Sequence, residues 1–300
     1  MGLEINLISF IPIIIRKNKY RSEAALKYFL IQVTASIFIL IRVLLINKFY
    51  IIKNIVLIRL ILKIAVAPLH KWLPAIIQGL SWNVITFILV FQKLAPFVTL
   101  IILNLTFKNF YIFYLFIILR ALVGGLRGLI HVSLRKIIAY SSISHIAWLL
   151  ISMLVSNNIF IKYFLGYSLI LITVITVIKH LIINSISDIL TININKLKIL
   201  LCLNLLSLAG LPPFSGFIIK FILIFNTIFY KELFLLIPLI ISSLFNLFFY
   251  MRLIYRGIVL YEKTNKNINF KGQNTLLLKF TNVLALFFGV FLIQLDFKLL

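Results

Sequence analysis

The chain has 300 residues, of which 63% are hydrophobic and only 12% are charged. About half of the residues of an ordinary soluble domain are apolar, so this composition excludes a water-soluble globule. The net charge of +24 does not indicate a nucleic-acid-binding protein, because the basic residues are spread over short connections instead of forming one basic face. The sequence therefore predicts an all-α integral membrane protein, with one polytopic domain over residues 1–300.

Apolar runs recur along the chain, and most are close to the ~20 residues that a helix needs to cross a bilayer. They lack the polar–apolar alternation of membrane strands, so helices are the structure that satisfies their backbone. We predict ten spans, at residues 1–15 (short), 24–46, 50–80 (interrupted), 82–104, 110–127, 134–156, 159–184, 198–228 (interrupted), 233–255 and 276–296. Counted together with adjoining span residues, the connections after odd-numbered spans are assigned 16 Lys and Arg residues, and the connections after even-numbered spans are assigned 5. This imbalance predicts that the odd connections face the cytoplasm or the mitochondrial matrix.

The third predicted span contains a charge together with helix breakers. Its segment LILKIAVAPLHKWLP (60–74) holds Lys63, followed by Pro68, His70 and Pro74. A proline removes a backbone hydrogen bond, which is tolerated at membrane depth only beside protein or a wet cavity. On an unbroken helix Lys63 and His70 would share one face, although Pro68 lies between them. The combination predicts a hydrated, titratable site inside the membrane.

The eighth predicted span repeats this arrangement in LAGLPPFSGFIIKF (208–221), where Gly210, Pro212 and Pro213 precede Lys220. Paired broken helices in corresponding positions indicate an internal repeat with the ion path at its midplane. The two broken spans lie five spans apart, and because five is odd, the second copy would run through the membrane in the opposite sense. The pattern therefore predicts two inverted five-helix repeats.

Several ionisable residues lie inside predicted spans. A Lys or Arg at mid-bilayer costs about 2.5–3.5 kcal/mol, so it should face protein or water and mark a proton or ion path. Burial and neighbouring charges can make such a lysine gain and lose a proton at neutral pH. By position, the candidates are Glu4, Lys63, Lys93, Lys179 and Lys220, although Lys179, near the end of its span, and Glu4, in a short span, could instead reach the interface. The lone Cys202 provides no disulfide and no paired metal ligands, so we expect no metal site.

Seven segments carry a specific resemblance. They are GLEINLISFIP (2–12), EAALKYFLIQVTAS (23–36), LKIAVAPLHKWLP (62–74), GLSW (79–82), FQKLAP (91–96), LRKIIAYSSISHIAW (134–148) and GLPPFSGFIIKF (210–221). They occur in family order and cover nearly the whole chain. Together they resemble the NADH dehydrogenase subunit 2 family, the mitochondrially encoded, antiporter-like membrane subunits of respiratory complex I.

The resemblance implies a fold and a role. The fold is antiporter-like with inverted five-helix repeats, and NADH oxidation and quinone reduction elsewhere in the complex would drive protons through this chain. The family's functional residues map onto Glu4, Lys63, Lys93 and Lys220. Glu4 and Lys63 would form a switchable pair whose separation sends a proton towards Lys93 and then Lys220. His145 and the His70 introduced above could support the water wire, but a satisfied interhelical hydrogen bond is the alternative for His145.

The resemblance also implies a location, partners and cofactors. We expect the mitochondrial inner membrane, with odd connections on the matrix side, and other membrane-arm subunits and lipid as partners. We expect no nucleic acid and no small-molecule substrate other than protons and water. NADH, FMN, iron–sulfur clusters and ubiquinone would bind elsewhere, since none of their binding patterns is present in this chain. The enzymatic label, NADH:ubiquinone reductase, would belong to the assembly.

The chain departs from the family pattern in two ways. Members of the family have about one further helix before the GLE motif, whereas this chain starts one residue before that motif. We therefore expect an N-terminal truncation. Arg42, Arg59 and Arg120 lie in apolar spans where the family has small or neutral residues. Both departures would follow if a mitochondrial gene were read with the standard genetic code, because animal mitochondria read AGA as Ser and UGA as Trp. If genuine, each arginine needs a buried partner or a water-lined face.

Two alternative functions remain open from the sequence. A stand-alone cation/proton antiporter would share the fold, and a structural spacer of the membrane arm would share the family without pumping. Co-purification with a large NADH-oxidising complex would exclude the first alternative but not the second.

Overall fold

The computed structural model describes residues 9–14, 19–44, 60, 62–103, 111–189, 195–230, 233–258, 282–283 and 285–286. Glu4 and Arg59 lie outside the described residues, as does the side chain of Arg42. Most of the predicted spans 1–15 and 276–296 lies outside them too. The chain divides into two compact units, Met1–Arg120 and Ala121–Leu300.

The first unit is helical and contains an aromatic core. Its helices are α1 (Lys19–Leu44), α2 (Trp72–Gly79), α3 (Trp82–Thr86) and α4 (Gln92–Leu103), with a π-helix at Phe87–Phe91 joining α3 to α4. Helix α1 packs on α2. Phe10 stacks on Phe87, with ring centroids 5.0 Å apart, and meets Tyr28 edge-on at 5.4 Å. These rings join segments that are far apart in sequence into one apolar core.

The second unit is built around one central helix. Its elements are α5 (Tyr111–Ile130, which begins in the first unit), α6 (Leu134–Val155), α7 (Asn157–Leu181), a 3₁₀ helix (Ser187–Ile189), α8 (Asn195–Ala209), α9 (Ser215–Phe229) and α10 (Leu233–Ile258). Helix α6 packs against α7, α9 and α10, and α7 also packs against α8 and α9. The membrane-length window of α6 is completely buried within the protein.

Small and polar residues bring the helices of the second unit together. A Cβ added at Gly124 of α5 would lie 2.6 Å from the backbone nitrogen of Ser144 of α6. The amide of Asn246 in α10 donates to the hydroxyl of Ser144 at 2.6 Å. Close backbone approach and interhelical hydrogen bonds are the main sources of helix association inside a bilayer, where apolar surface alone gains little. The missing side chain at Gly124 therefore allows the backbones of α5 and α6 to approach closely.

Five helices among the described residues are long and apolar enough to span a membrane. They are Trp82–Ile102, Phe113–Ile130, Leu134–Val155, Asn157–Leu181 and Leu233–Arg256. Each agrees within a few residues with a predicted span, so the prediction of a helical membrane protein is confirmed. The total of ten spans, the inverted repeats and the single-domain assignment stay predictions.

Both predicted helix breaks are present. In the first, the helical residues 62–63 end at Lys63, Ala65 takes a left-handed conformation with φ of 60°, and turns follow as far as residue 71. In the second, α8 ends at Ala209, Gly210 has φ of 85°, and α9 begins at Ser215. Each break contains a cis peptide bond, at Ala67–Pro68 and at Pro212–Pro213.

One predicted breaker has a different position. Pro74 is the third residue of α2, within its first turn. The first four N–H groups of a helix have no partner inside the helix, so proline removes no helical hydrogen bond there. The prediction that Pro74 breaks the helix is therefore wrong, and in this span the interruption lies between Lys63 and Trp72.

Candidate functional site

The first unit holds a cavity beside its helix break, which we call the lysine-pair cavity. Its polar lining consists of Tyr28, Gln32, Lys63, Gln92 and Lys93, and Trp72 also contributes. Lys63 is 8% exposed and Lys93 is 4% exposed, so both amines lie away from the surface of the protein. The cavity has room for about one or two water molecules. Two buried lysines, one at the break and one in α4, therefore line the same cavity.

Side chains from other segments satisfy the carbonyl groups at this break. The indole N–H of Trp72 donates to the carbonyl of Leu62 at 3.2 Å, and Nη2 of Arg120 donates to the carbonyl of Ile64 at 3.1 Å. Arg120 is fully buried, and its charge acts on Lys93. Arg120 thus has the buried partner that a genuine arginine at this depth requires.

A π-helix precedes Lys93. Residues Phe87–Phe91 form it, and Ile88 and Gln92 both line the lysine-pair cavity. Single π-helical turns interrupt the regular ladder and are frequent at functional sites. Pro96 lies inside α4 one turn further on, where it cannot donate to the carbonyl of Gln92. The backbone beside Lys93 is therefore irregular on both sides.

The second unit holds another cavity, which we call the Lys220 cavity. Its polar lining consists of His145 from α6, Tyr163 and Tyr167 from α7, Ser207 from α8 and Lys220 from α9. Lys220 is 7% exposed and His145 is 4% exposed. The space is sufficient for about one water molecule.

Lys220 contacts the second helix break directly. Its Nζ donates to the carbonyl of Ala209 at 2.7 Å, at the last residue of α8. The same Nζ lies 5.7 Å from the centroid of the Trp148 ring, within the range of a cation–π interaction. A Cβ at Gly210 would lie 2.9 Å from both Cδ and Nζ of Lys220, so the lysine fills the space that glycine leaves open. The break thus provides the accepting carbonyl of Ala209, and the missing side chain at Gly210 leaves room for the ammonium group of Lys220.

His145 contacts both tyrosines of the cavity. Its Nδ1 lies 3.2 Å from the hydroxyl of Tyr163, and its ring stacks on Tyr167 with centroids 4.8 Å apart. The interhelical hydrogen bond considered for His145 is thus present, between α6 and α7. His145 also lines the same cavity as Lys220, so its hydrogen bond to Tyr163 is compatible with a role in proton transfer.

The structure brings together some predicted residues and not others. Lys63 and Lys93 share one cavity, whereas His70 lies buried in the turn after Pro68 and is not among the residues that line that cavity. The expectation that Lys63 and His70 share a helix face is wrong, because the helix ends at Lys63. Glu4 lies outside the described residues, so its pairing with Lys63 stays a prediction.

Sequence reasoning missed two groups of residues. The first is Gln92, a polar residue within the FQKLAP segment, together with the preceding π-helix; the π-helix has no recognisable signal in the sequence. The second is Tyr163 and Tyr167, two tyrosines whose hydroxyl groups are polar and which lie four residues apart in an apolar helix. That spacing places both on one face, which a search for polar pairs within the spans would have found.

Comparisons with known proteins agree with this architecture. Residues 46–246 match the family described as "NADH:quinone oxidoreductase/Mrp antiporter, TM". The chain is 37% identical over 279 residues to NADH-ubiquinone oxidoreductase chain 2 of Anopheles gambiae, covering 88% of this chain and 81% of that protein.

Two solved structures share the fold. A chain of respiratory complex I from Thermus thermophilus, solved with bound aureothin, superposes with a TM-score of 0.80 at 24% identity, covering 98% of this chain and 71% of that one. A chain of the Mrp complex from Dietzia sp. superposes with a TM-score of 0.76 at 20% identity. That match covers 87% of this chain, which spans only 56% of the Mrp chain. The family match over residues 46–246 and the 37% identity over most of both chains show that the protein belongs to the NADH-ubiquinone oxidoreductase chain 2 family.

Proposed function

We propose that this chain is a core membrane-arm subunit of respiratory complex I, and that it moves protons across the inner mitochondrial membrane as NADH reduces ubiquinone. The observation that carries the proposal is a buried lysine at each of two helix breaks, each lining a small cavity. Buried ionisable residues in membrane spans are costly and mark ion or proton paths. Family membership supports the wider role in the complex.

In the Lys220 cavity the chemistry follows from the contacts of the amine. The carbonyl of Ala209 accepts a hydrogen bond from the charged ammonium group, which offsets part of the cost of keeping that charge inside the membrane. The cavity has space for a water that could take a proton from Nζ and return one. Lys220 can therefore alternate between a charged and a neutral form without leaving its site.

In the lysine-pair cavity the relevant effect is repulsion. Lys63 and Lys93 line one small space, and in a low-dielectric site a positive charge on one disfavours a positive charge on the other. A proton that arrives at one lysine therefore favours release from the other. Arg120 adds a permanent positive charge that acts on Lys93. The order of transfer from Glu4 and Lys63 to Lys93 and Lys220 stays part of the proposal.

The remaining features of the proposal rest on the sequence and the family. They are ten transmembrane helices in two inverted five-helix repeats, and odd-numbered connections on the matrix side. The proposed partners are other membrane-arm subunits of the complex and the lipid bilayer. The chain itself would hold no redox cofactor, so the oxidoreductase activity would belong to the whole assembly.

The test is proton movement by reconstituted complex carrying Lys63→Met or Lys220→Met. Protons moved per NADH oxidised, here called the proton yield, would be measured with a pH-sensitive dye in sealed vesicles. NADH oxidation and the amount of assembled complex would be followed in parallel. Lys179→Met is the matched control, because Lys179 is an exposed lysine in the last turn of α7.

We expect either cavity variant to assemble and to lose proton yield or coupled turnover, and the control to behave like the parent. This result would exclude a structural spacer, which needs no titrating lysine. Unchanged assembly, turnover and proton yield in both cavity variants would show that the lysines take no part in translocation. Loss of the chain from the NADH-oxidising complex during purification would favour the stand-alone antiporter instead.

A further inference from the structure

We propose that Tyr163 is a proton-relay residue that passes protons between Lys220 and His145 through its phenol hydroxyl. The inference rests on the proposed function, because it assigns a further carrier within the Lys220 cavity. Tyr163 had no role in the sequence predictions, and it lies in α7, which packs against both helices that carry the other two groups.

The phenol hydroxyl contacts one titratable group and shares a cavity with another. Its oxygen lies 3.2 Å from Nδ1 of His145, within hydrogen-bonding distance. Tyr163 and Lys220 line the same cavity, whose space suits about one bridging water. The ring of Tyr163 is 2% exposed and stacks near Trp148 with centroids 6.5 Å apart, so packing holds the hydroxyl in place.

The chemistry of a phenol suits this position. A hydroxyl both donates and accepts hydrogen bonds, so it can take a proton on one side while releasing its own on the other. It remains a neutral phenol before and after the transfer, and no net charge has to stay on the oxygen. A tyrosine can therefore transfer protons even in a buried site that cannot solvate a phenolate.

The transfer can be written as one balanced sequence. The N–H bond of the Lys220 ammonium breaks, and its proton goes to the cavity water, which passes one of its own protons to the oxygen of Tyr163. The original O–H bond of Tyr163 breaks, and that proton forms a new N–H bond at Nδ1 of His145. The positive charge has then moved from lysine to histidine, while the water and the phenol keep their composition. The step requires His145 to begin with Nδ1 unprotonated, and it runs equally well in reverse.

Tyr167 provides a matched comparison within the same cavity. It lies one helical turn from Tyr163, and at 3% exposure it is buried to the same extent. Its aromatic ring contacts His145 by stacking, with ring centroids 4.8 Å apart. A phenylalanine at 167 keeps that stacking, whereas a phenylalanine at 163 removes the hydroxyl that bonds His145.

The experiment compares Tyr163→Phe, Tyr167→Phe and Lys220→Met in the assembled, reconstituted complex, with proton yield, NADH oxidation and assembly as readouts. We expect Tyr163→Phe to reduce the proton yield by the same factor as Lys220→Met, and Tyr167→Phe, which keeps the ring that stacks on His145, to reduce it by a smaller factor. Tyr163→His should restore the yield, because an imidazole can also accept one proton while donating another. A purely structural role for Tyr163 would instead lower the amount of assembled complex at an unchanged yield.

Each other outcome is decisive. A normal yield in Tyr163→Phe, with a reduced yield in Lys220→Met, would overturn the inference and leave the proposed function intact. Equal losses in both phenylalanine variants would also overturn it, because the cavity as a whole and not the hydroxyl of Tyr163 would then matter. Normal yields in all three variants would overturn the proposed function and the inference with it. If Tyr163→Phe fails to assemble, an assembled Tyr163→His complex with a yield as low as that of Lys220→Met would overturn the inference.

Discussion

Gly210 lies beside the ammonium group of Lys220, and we expect Gly210→Ala to destabilise the second helix break. An L-residue in the left-handed conformation that Gly210 adopts, at φ of 85°, costs roughly 1–2 kcal/mol. The new Cβ would lie 2.9 Å from Nζ of Lys220 and would displace it from the carbonyl of Ala209. Losing that hydrogen bond from a charged donor costs about 1.5–3 kcal/mol, so the total is about 2.5–5 kcal/mol.

The assay is the amount of assembled complex on native gels, together with its thermal denaturation midpoint and its proton yield. A change of this size should lower the assembled amount several-fold, since 1–2 kcal/mol already changes abundance noticeably. The control is the same substitution in a Lys220→Ala background, where the contact with the ammonium group no longer exists. There only the backbone cost of about 1–2 kcal/mol should remain. An equal cost in both backgrounds would refute the reasoning, because the contact with Lys220 would then contribute nothing.

Arg252 donates to the carbonyls of Leu129 at 2.7 Å and of His131 at 2.9 Å. Arg252→Met should cost about 2–4 kcal/mol and lower the thermal midpoint of the complex, while an altered proton yield would contradict this purely structural role. The pKa of His131 is lowered, first by partial burial and then by the charges of Lys136 and Arg127. Its contribution to stability is therefore fully present above the ordinary histidine value of about 6.5 and is lost as the pH falls through the lower folded pKa. His131→Phe should make the thermal midpoint less sensitive to acid between about pH 7 and pH 5, and an unchanged pH profile would count against this assignment.

The sequence predicted the features that depend on local chemistry. Long apolar runs predicted the spans because a bilayer demands them, and the prolines and Gly210 predicted the two breaks because they cannot continue a regular helix. Lys220 was found for the same reason, since a charge within an apolar run is visible without any knowledge of packing. Pro74 shows the limit of this reasoning, because a proline in a first turn and a proline that breaks a helix look alike in sequence.

Features that depend on packing between distant segments were not predicted. The carbonyl of Ile64 is satisfied by Arg120, which lies 56 residues away, and nothing in either segment indicates the other. The π-helix before Lys93 has no composition that distinguishes it from an α-helix. Tyr163 was overlooked because a tyrosine in an apolar helix is usually explained as packing or as an interfacial anchor. Its contact with His145 becomes visible only when α6 and α7 lie side by side.

Helix α6 has a consequence for how this protein can change during evolution. The other membrane-length helices keep a partly exposed face, with 39% to 67% of their windows buried, whereas the window of α6 is buried on every side. A helix with an exposed face accepts one apolar residue for another there, which produces a substitution rate that rises and falls with the helical period. On α6 each replacement would alter a packed contact, so its substitution rate should be low and uniform around the helix. Mitochondrial variants that impair assembly should accordingly be concentrated in this segment, including at positions far from any lysine.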